Sequence, residues 1–565
     1  MVSLVASAVL IFRICQLLVQ CAVSIPLWDD WEMAPLITAV RQGEIPWTGL
    51  LAQQQEARTL FPKLVFILAS LGSPLDVRVV IALSVVSCIL TAAGIFWLLR
   101  KSELSVVMRS VCFFLSVVAI FSPRQHEVWV LGFGFPSFVI GFWLVAALVL
   151  MRTHFSFGGK FVGCLILTLL SSFTLAHGLL AWGLTFPVLL LIERPRTWIW
   201  WAAGWAALCV ACAVVYFHGY GKPPDVPAFA PSVPPLRYVQ YAFVFLGAGL
   251  ARDVKEVDVL PATAAGVVLL LVYIGAAFYS WRRRRDAKFV QRVLPWFALG
   301  MFSIGSAGLA AMGRVEWGLP QALESRYVPF SLYLTVAVIA LVPVIARELA
   351  TPHRWAVLAS WGILIAAFLL LHRAHWDTSI YWFERRGAAG HVGQAAVMFS
   401  QLVDGSGAIE KSVYPRPAFA VEQADLLDRA SVLRPKLVRA VELSGMMAGT
   451  RKATGALESA TKQDDGNYAV SGWAILPTPP RRADSVVLVS VAADGEPRLV
   501  AIADRPERRR DIMKQLRNRN GLWSGWHATV PPSAMVPGAE ISAWAVDTAG
   551  RKLHRLPTNA FIVPP

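Results

Sequence analysis

The chain has 565 residues, of which 56% are hydrophobic and only 16% charged, with 22 tryptophans and a formal net charge of +16. A soluble globular chain carries about 25% charged residues. Here residues 1–373 are mostly long apolar runs while 377–565 read as ordinary soluble protein, which excludes one soluble domain and points to a membrane part followed by an extramembrane part. The positive charge calls for no nucleic acid partner, because basic residues collect beside membrane helices on the cytoplasmic side.

A helix needs about 17–25 apolar residues to cross roughly 30 Å of hydrocarbon. Such stretches fall at 2–23, 76–99, 104–121, 134–151, 160–175, 178–192, 198–217, 259–281, 293–312, 327–346 and 355–373, predicting eleven spans. The first lacks a basic leader and a small-residue cleavage site, so it reads as a retained helix rather than a signal peptide. The apolar run 236–250 is short. If it does not span, Arg100, Lys101 and Arg109, Arg152 and Lys160, Arg194 and Arg196, Arg282–Arg285, and Arg347 and Arg354 all share one side. The positive-inside rule makes that side cytoplasmic, with the N-terminus inside and the C-terminus outside. All seven cysteines lie in or beside apolar segments, and none offers a CxxC metal site in the C-terminal region.

The unusual polar residues then gather on the outer side. The first outer loop opens with Trp28-Asp29-Asp30-Trp31-Glu32 and continues through Gln55-Glu56-Ala57-Arg58 to Phe61-Pro62-Lys63. The second is Pro123-Arg124-Gln125-His126-Glu127-Val128-Trp129, the third holds His177-Gly178, and the fifth holds Arg314, Glu316, Glu324, Ser325 and Arg326. Ionisable groups at membrane depth are costly and tend to face a cavity and a partner. Carboxylates and arginines from separate loops suit an anionic ligand together with proton transfer. Plainer roles compete: Asp29-Asp30 as a helix cap beside a tryptophan belt, Glu56 with Arg58 as a surface pair, His177 as a packing histidine, and Arg326 as a snorkelling side chain.

These elements, Asp29-Asp30-Trp31, Gln55-Glu56-Ala57-Arg58 with Phe61-Pro62, Gln125-His126-Glu127-Val128-Trp129-Val130-Leu131-Gly132-Phe133, Ala176-His177-Gly178 and Ser325-Arg326-Tyr327, resemble those of the GT-C superfamily over roughly residues 1–375. Members are multi-spanning glycosyltransferases that use polyprenyl-phosphate-linked sugars. The chain departs from that pattern at Ala57, where the family has histidine, and at Val128 and His177, where it has asparagine. The resemblance implies a bacterial cytoplasmic-membrane enzyme that moves a sugar from a polyprenyl-phosphate donor to a cell-envelope glycan or lipid acceptor on the outer face.

In that frame Asp29 or Asp30, with Glu56, would supply catalytic carboxylates. Arg58, Arg326, Arg314 and Lys63 would bind the donor phosphate, since guanidinium groups make bidentate charge-assisted bonds. Glu127, His126, His177 and Trp31 would line the acceptor side of the pocket. The adjacent Asp29 and Asp30 also suit Mg²⁺ or Mn²⁺, although nothing else in the sequence demands a metal. Rival classes are a transporter or flippase for a lipid-linked sugar, which would favour an internal repeat, and an inactive membrane scaffold presenting the C-terminal domain.

Residues 376–465 read as an extracytoplasmic helical stalk after the membrane domain of 1–375. From 466 to 565 short β-type runs predict a sandwich: Tyr468–Leu476, Ser485–Ala492, Arg498–Ala503, Gly525–Val530 and Glu540–Val546, with a hairpin at Asp494-Gly495. Trp473 and Trp526 fit either the sandwich core or sugar stacking. The arginine-rich stretch 505–519 reads as a solvated loop or helix.

Overall fold

The structure is a computed structural model that describes residues 2–222, 233–251, 258–448, 450–491, 497–534, 540–557 and 561–562. Nine of its helices are long and apolar enough to cross a membrane, from Ser3–Cys21 to Thr351–Met398. Two shorter apolar segments, Phe157–Ser172 and Ala176–Ile192, occupy the positions of the remaining two expected spans. The run near 236–250 forms the 13-residue helix Pro235–Gly247, packed against the helices Leu260–Arg282 and Ala287–Arg314. The chain is a polytopic helical membrane protein with a C-terminal β domain.

Helix ends sort into two groups, as the loop charges require. At one end Glu103, which follows the second long helix, bonds Arg292 at 2.9 Å and Arg347 at 3.0 Å. Glu348 bonds Arg283 and Arg292, each at 2.9 Å, and Arg152 donates to Gln291. Helices entering from this end start under polar caps: Ser105, Ser156 and Asp286 accept from the backbone N–H groups of Met108, Gly159 and Phe289. At the other end the loop 24–33 meets the loops near 75, 132, 413 and 434, with the Trp28 N–H donating to the Val413 carbonyl at 2.7 Å.

The last helix, Thr351–Met398, does not stop where its apolar run stops. Residues 374–398 contain no proline and include five alanines, so nothing interrupts the helix after the polarity changes. Loss of apolarity marks the exit from hydrocarbon, not the end of the helix. This long helix crosses the end of the first helix at Gly387, where an added Cβ would sit 2.6 Å from the Cys21 Cα. Helices Ser406–Ser412, Pro417–Arg429 and Ala440–Met447 form the stalk, and the middle one packs on Ala34–Arg41 of the first outer loop.

Among the described residues the β domain has ten strands: β1 Thr454–Lys462, β2 Tyr468–Pro477, β3 Pro480–Arg482, β4 Ser485–Val491, β5 Pro497–Ile502, β6 Arg505–Glu507, β7 Gly525–Val530, β8 Glu540–Asp547, β9 Lys552–Arg555 and β10 Phe561–Ile562. It therefore begins before residue 466, because β1 pairs with β2 from Thr454 onward. Two antiparallel sheets, ordered β1-β2-β7-β6 and β10-β8-β4-β5, pack face to face, with β3 beside β2 and β9 beside β8. Val470, Ala474, Val486, Leu488, Trp526 and Ala543 fill the space between them. Trp526 is thus a core residue, while Trp473 lies half-buried on the opposite face of β2. The strands β4 and β5 pair as a hairpin would; Asp494-Gly495 falls outside the described residues.

The domain rests on the C-terminal part of the long helix. Glu384 accepts from Arg519 at 2.5 Å and from the Trp523 indole at 3.3 Å, and Gln394 donates to Thr548 at 2.7 Å. Asp484, buried in this seam, lies 3.2 Å from His391 Nδ1 and 2.6 Å from Arg481. Burial works to raise the Asp484 pKa, but the neighbouring His391 and the Arg481 charge hold it well below the usual carboxylate range.

One glycine fixes the entry of the second outer loop into its helix. At Gly134 a Cβ would lie 1.7 Å from the Val128 carbonyl oxygen, so no side chain fits without moving the backbone. Overpacking a tight contact costs about 1–3 kcal/mol or more. Gly134→Ala is expected to lower the yield of monodisperse protein and its apparent Tm, read by size-exclusion chromatography with thermal challenge; wild-type behaviour would contradict this.

Candidate functional site

The 3₁₀ segment Trp28–Met33 places the two neighbouring aspartates in different surroundings. Asp30 is fully buried and accepts three backbone N–H bonds: from Leu27 at 3.1 Å, Gly132 at 3.2 Å and Phe133 at 2.6 Å. It pins the first outer loop to the second. Burial pushes its carboxyl up to about 7 despite those donors. Asp29 is partly exposed, and among the described residues no hydrogen bond to its carboxylate is found. Burial raises its pKa, with the Arg326 charge pulling it back. Trp28, just before it, has a φ of +51°, a left-handed conformation that a bulky residue adopts only when its surroundings impose it. Trp31 is completely buried core.

Around Asp29 three distant segments meet. The Glu127 N–H donates to Ser325 Oγ at 3.1 Å, joining the second outer loop to the fifth. Arg326, exposed and paired with Glu324, feels the charges of both Asp29 and Glu127. Arg386 of the long helix donates from Nε to His126 Nδ1 at 3.2 Å, and its Nη2 lies 3.7 Å from Glu127 Oε2. The result is a charged cluster of Asp29, Glu127, Glu324, Arg326 and Arg386, with His126 and Ser325 beside it. Arg386 lies in the stretch that reads as linker from sequence; its signal was the pair Arg385-Arg386 just past a span, which alone resembles a topology anchor. The close crossing at Gly387 sets Arg386 against the site.

Glu32 is the other residue the sequence displayed without assigning. Burial and then the Asp29 charge raise its pKa, while Gln54, Lys63 and Arg416 lower it. Gln54 accepts from Thr59 at 2.7 Å within the far part of the first loop.

Arg58 and Lys63 sit in that far part and serve the backbone. Arg58 donates to the carbonyls of Leu51, Tyr216 and His218 and so ties the loop to the end of the helix Trp198–Phe217. Lys63 donates to the carbonyls of Gly49 at 2.9 Å and Ala52 at 2.7 Å, closing the end of the helix Trp47–Leu51. Glu56 pairs with Arg314, whose guanidinium also stacks 4.7 Å from the Trp317 ring centre. His177 stacks on Phe330 with ring centres 4.3 Å apart, as a packing histidine does. The predicted set thus divides: Asp29, Glu127, His126 and Arg326 converge, while Glu56 with Arg314, Arg58, Lys63 and His177 lie apart from them. Two open clefts, of 630 Å³ and 620 Å³, lie in the stalk and the β domain and are lined by neither group.

The residues do not fit a metal centre at Asp29 and Asp30. Asp30 already spends its oxygens on backbone donors, and among the described residues no group of three or more His, Cys, Asp or Glu is arranged to hold an ion.

No family model matches the chain, and no curated protein matches it. Among solved structures, the apo crystal structure of ArnT from Cupriavidus metallidurans is similar at 13% sequence identity and a TM-score of 0.30, over 77% of this chain and 89% of that one. A likeness that loose carries no inference about the site or its chemistry.

Proposed function

We propose that the chain is a GT-C-like membrane glycosyltransferase that moves a sugar from a polyprenyl-phosphate donor to an envelope acceptor at the outer face of a bacterial cytoplasmic membrane. The observation that carries this reading is the meeting of three segments far apart in sequence, in which Arg326 faces the charges of Asp29 and Glu127 while Arg386 reaches Glu127 and His126. A scaffold without chemistry has no need for carboxylates and guanidinium groups from three segments gathered at one end of the helices.

In the proposed step Asp29 takes the proton of the acceptor hydroxyl. The acceptor oxygen bonds to the sugar's anomeric carbon as the bond from that carbon to the phosphate oxygen breaks. The electron pair leaves on the polyprenyl phosphate, whose charge Arg326 and Arg386 would offset through charge-assisted hydrogen bonds. Glu127, held by Ser325, keeps Arg386 oriented until the phosphate arrives. Asp30 acts through position alone, fixing the turn that carries Asp29.

The test is transfer of radiolabel from a panel of polyprenyl-phosphate-linked hexoses and pentoses to envelope material in membranes carrying the chain. Wild-type membranes should transfer at least one label, and Arg386→Gln should lower that rate by about 10²-fold or more, the scale of losing one preorganised charge partner. Equal rates with and without the protein across the panel would reject the reading.

A further inference from the structure

Residues 505–519 hold six arginines and one lysine against one glutamate and one aspartate. Three of these charges are paired within the fold, Arg505 with Glu507 at 3.9 Å among them. Arg509 pairs with Glu458 and Asp511, each at 2.6 Å, and Arg519 with Glu384 of the long helix. Arg508, Arg510, Lys514 and Arg517 are exposed, and among the described residues no carboxylate pairs with them. They surround the short helix Arg510–Leu516, and Arg508, Arg510 and Arg517 frame the open 620 Å³ cleft floored by Met513 and Leu522.

The position of this arm is fixed by the long helix. The Arg508 guanidinium lies 5.2 Å from the Tyr381 ring centre, and Tyr381 packs on Trp523 of the β domain. Tyr381 follows Leu371, where the continuous apolar run ends, by ten positions, about 15 Å along the helix at 1.5 Å per residue. Headgroups extend about 5–8 Å beyond the hydrocarbon, and charges act across water over about 8–10 Å at ordinary salt. Arg508 therefore sits within electrostatic reach of the membrane surface from which the helix emerges, and Arg510, Lys514 and Arg517 follow it on the same arm.

We propose that this arm is a docking surface for the anionic lipid headgroups of that surface, seating the β domain against the bilayer. Charge complementarity selects the occupant: guanidinium groups match phosphate oxygens, and each basic residue near an anionic surface strengthens attachment by roughly fivefold. Met513 and Leu522 offer the cleft floor to the glycerol backbone. The proposal stands independently of sugar transfer.

Hydrogen exchange of the full chain in nanodiscs tests it. Discs containing phosphatidylglycerol should slow amide exchange over 510–518 by about threefold or more relative to phosphatidylcholine discs. Both 0.5 M NaCl and the triple variant Arg508→Gln, Arg510→Gln, Arg517→Gln should remove that slowing. Exchange in 468–476 reports whether the variant keeps its sandwich; if it does not, the salt comparison on wild type decides. Identical exchange in the two kinds of disc would overturn the proposal. So would equal slowing in phosphatidylcholine discs on adding inorganic phosphate, which would assign the arm to a soluble anion.

Discussion

Asp29→Asn is expected to abolish transfer, lowering the rate by about 10²–10⁴-fold, the usual contribution of a positioned general base, while leaving the folded protein intact. The asymmetry with its neighbour is the reason. Asp29 is partly exposed, faces Arg326 and, among the described residues, spends no oxygen on the backbone. An asparagine there keeps the shape and loses the proton acceptor. Because burial raises the Asp29 pKa, the base works only above it, so wild-type rate should fall as pH drops toward a value above the ordinary aspartate range. The transfer assay and a thermal melt on the same preparation separate the effects. Near-wild-type rates for Asp29→Asn would remove this carboxylate from the chemistry.

The second large effect falls on stability. Asp30→Ala strands three buried backbone donors, at about 1–3 kcal/mol each, so the apparent Tm should drop by roughly 5 °C or more. The pH dependence has a definite sign. The folded pKa, about 7, lies above the ordinary 3.8, so the folded state binds the proton more tightly. Its contribution is complete below about 4 and is lost as pH rises toward 7. Asp30→Asn cannot titrate and should flatten that slope while keeping part of the hydrogen bonding. Melts of wild type and both variants from pH 4 to 8 check this; an unchanged slope in Asp30→Asn would contradict it.

Much of the architecture was legible because the bilayer imposes coarse rules. Apolar length gave the helices, and arginines such as Arg283 and Arg347 gave the shared end at which they now bond Glu348 and Glu103. The site was legible at the level of loops, not of side chains. Asp29 and Asp30 are indistinguishable in sequence because adjacency says nothing about which carboxylate turns inward to backbone amides. Arg58 and Lys63 look like phosphate ligands because backbone carbonyl acceptors leave no trace in a sequence. Arg386 was hidden for a different reason: where apolarity ended the helix was expected to end, yet a chain without proline carried it onward.

The most direct measurement uses the leaving group common to every donor of this class, so it needs no knowledge of the sugar. Equilibrium binding of undecaprenyl phosphate to the purified chain should exceed that of undecaprenol by tenfold or more, and Arg326→Gln with Arg386→Gln should erase the difference. Equal binding of phosphate and alcohol by the wild type would contradict the account.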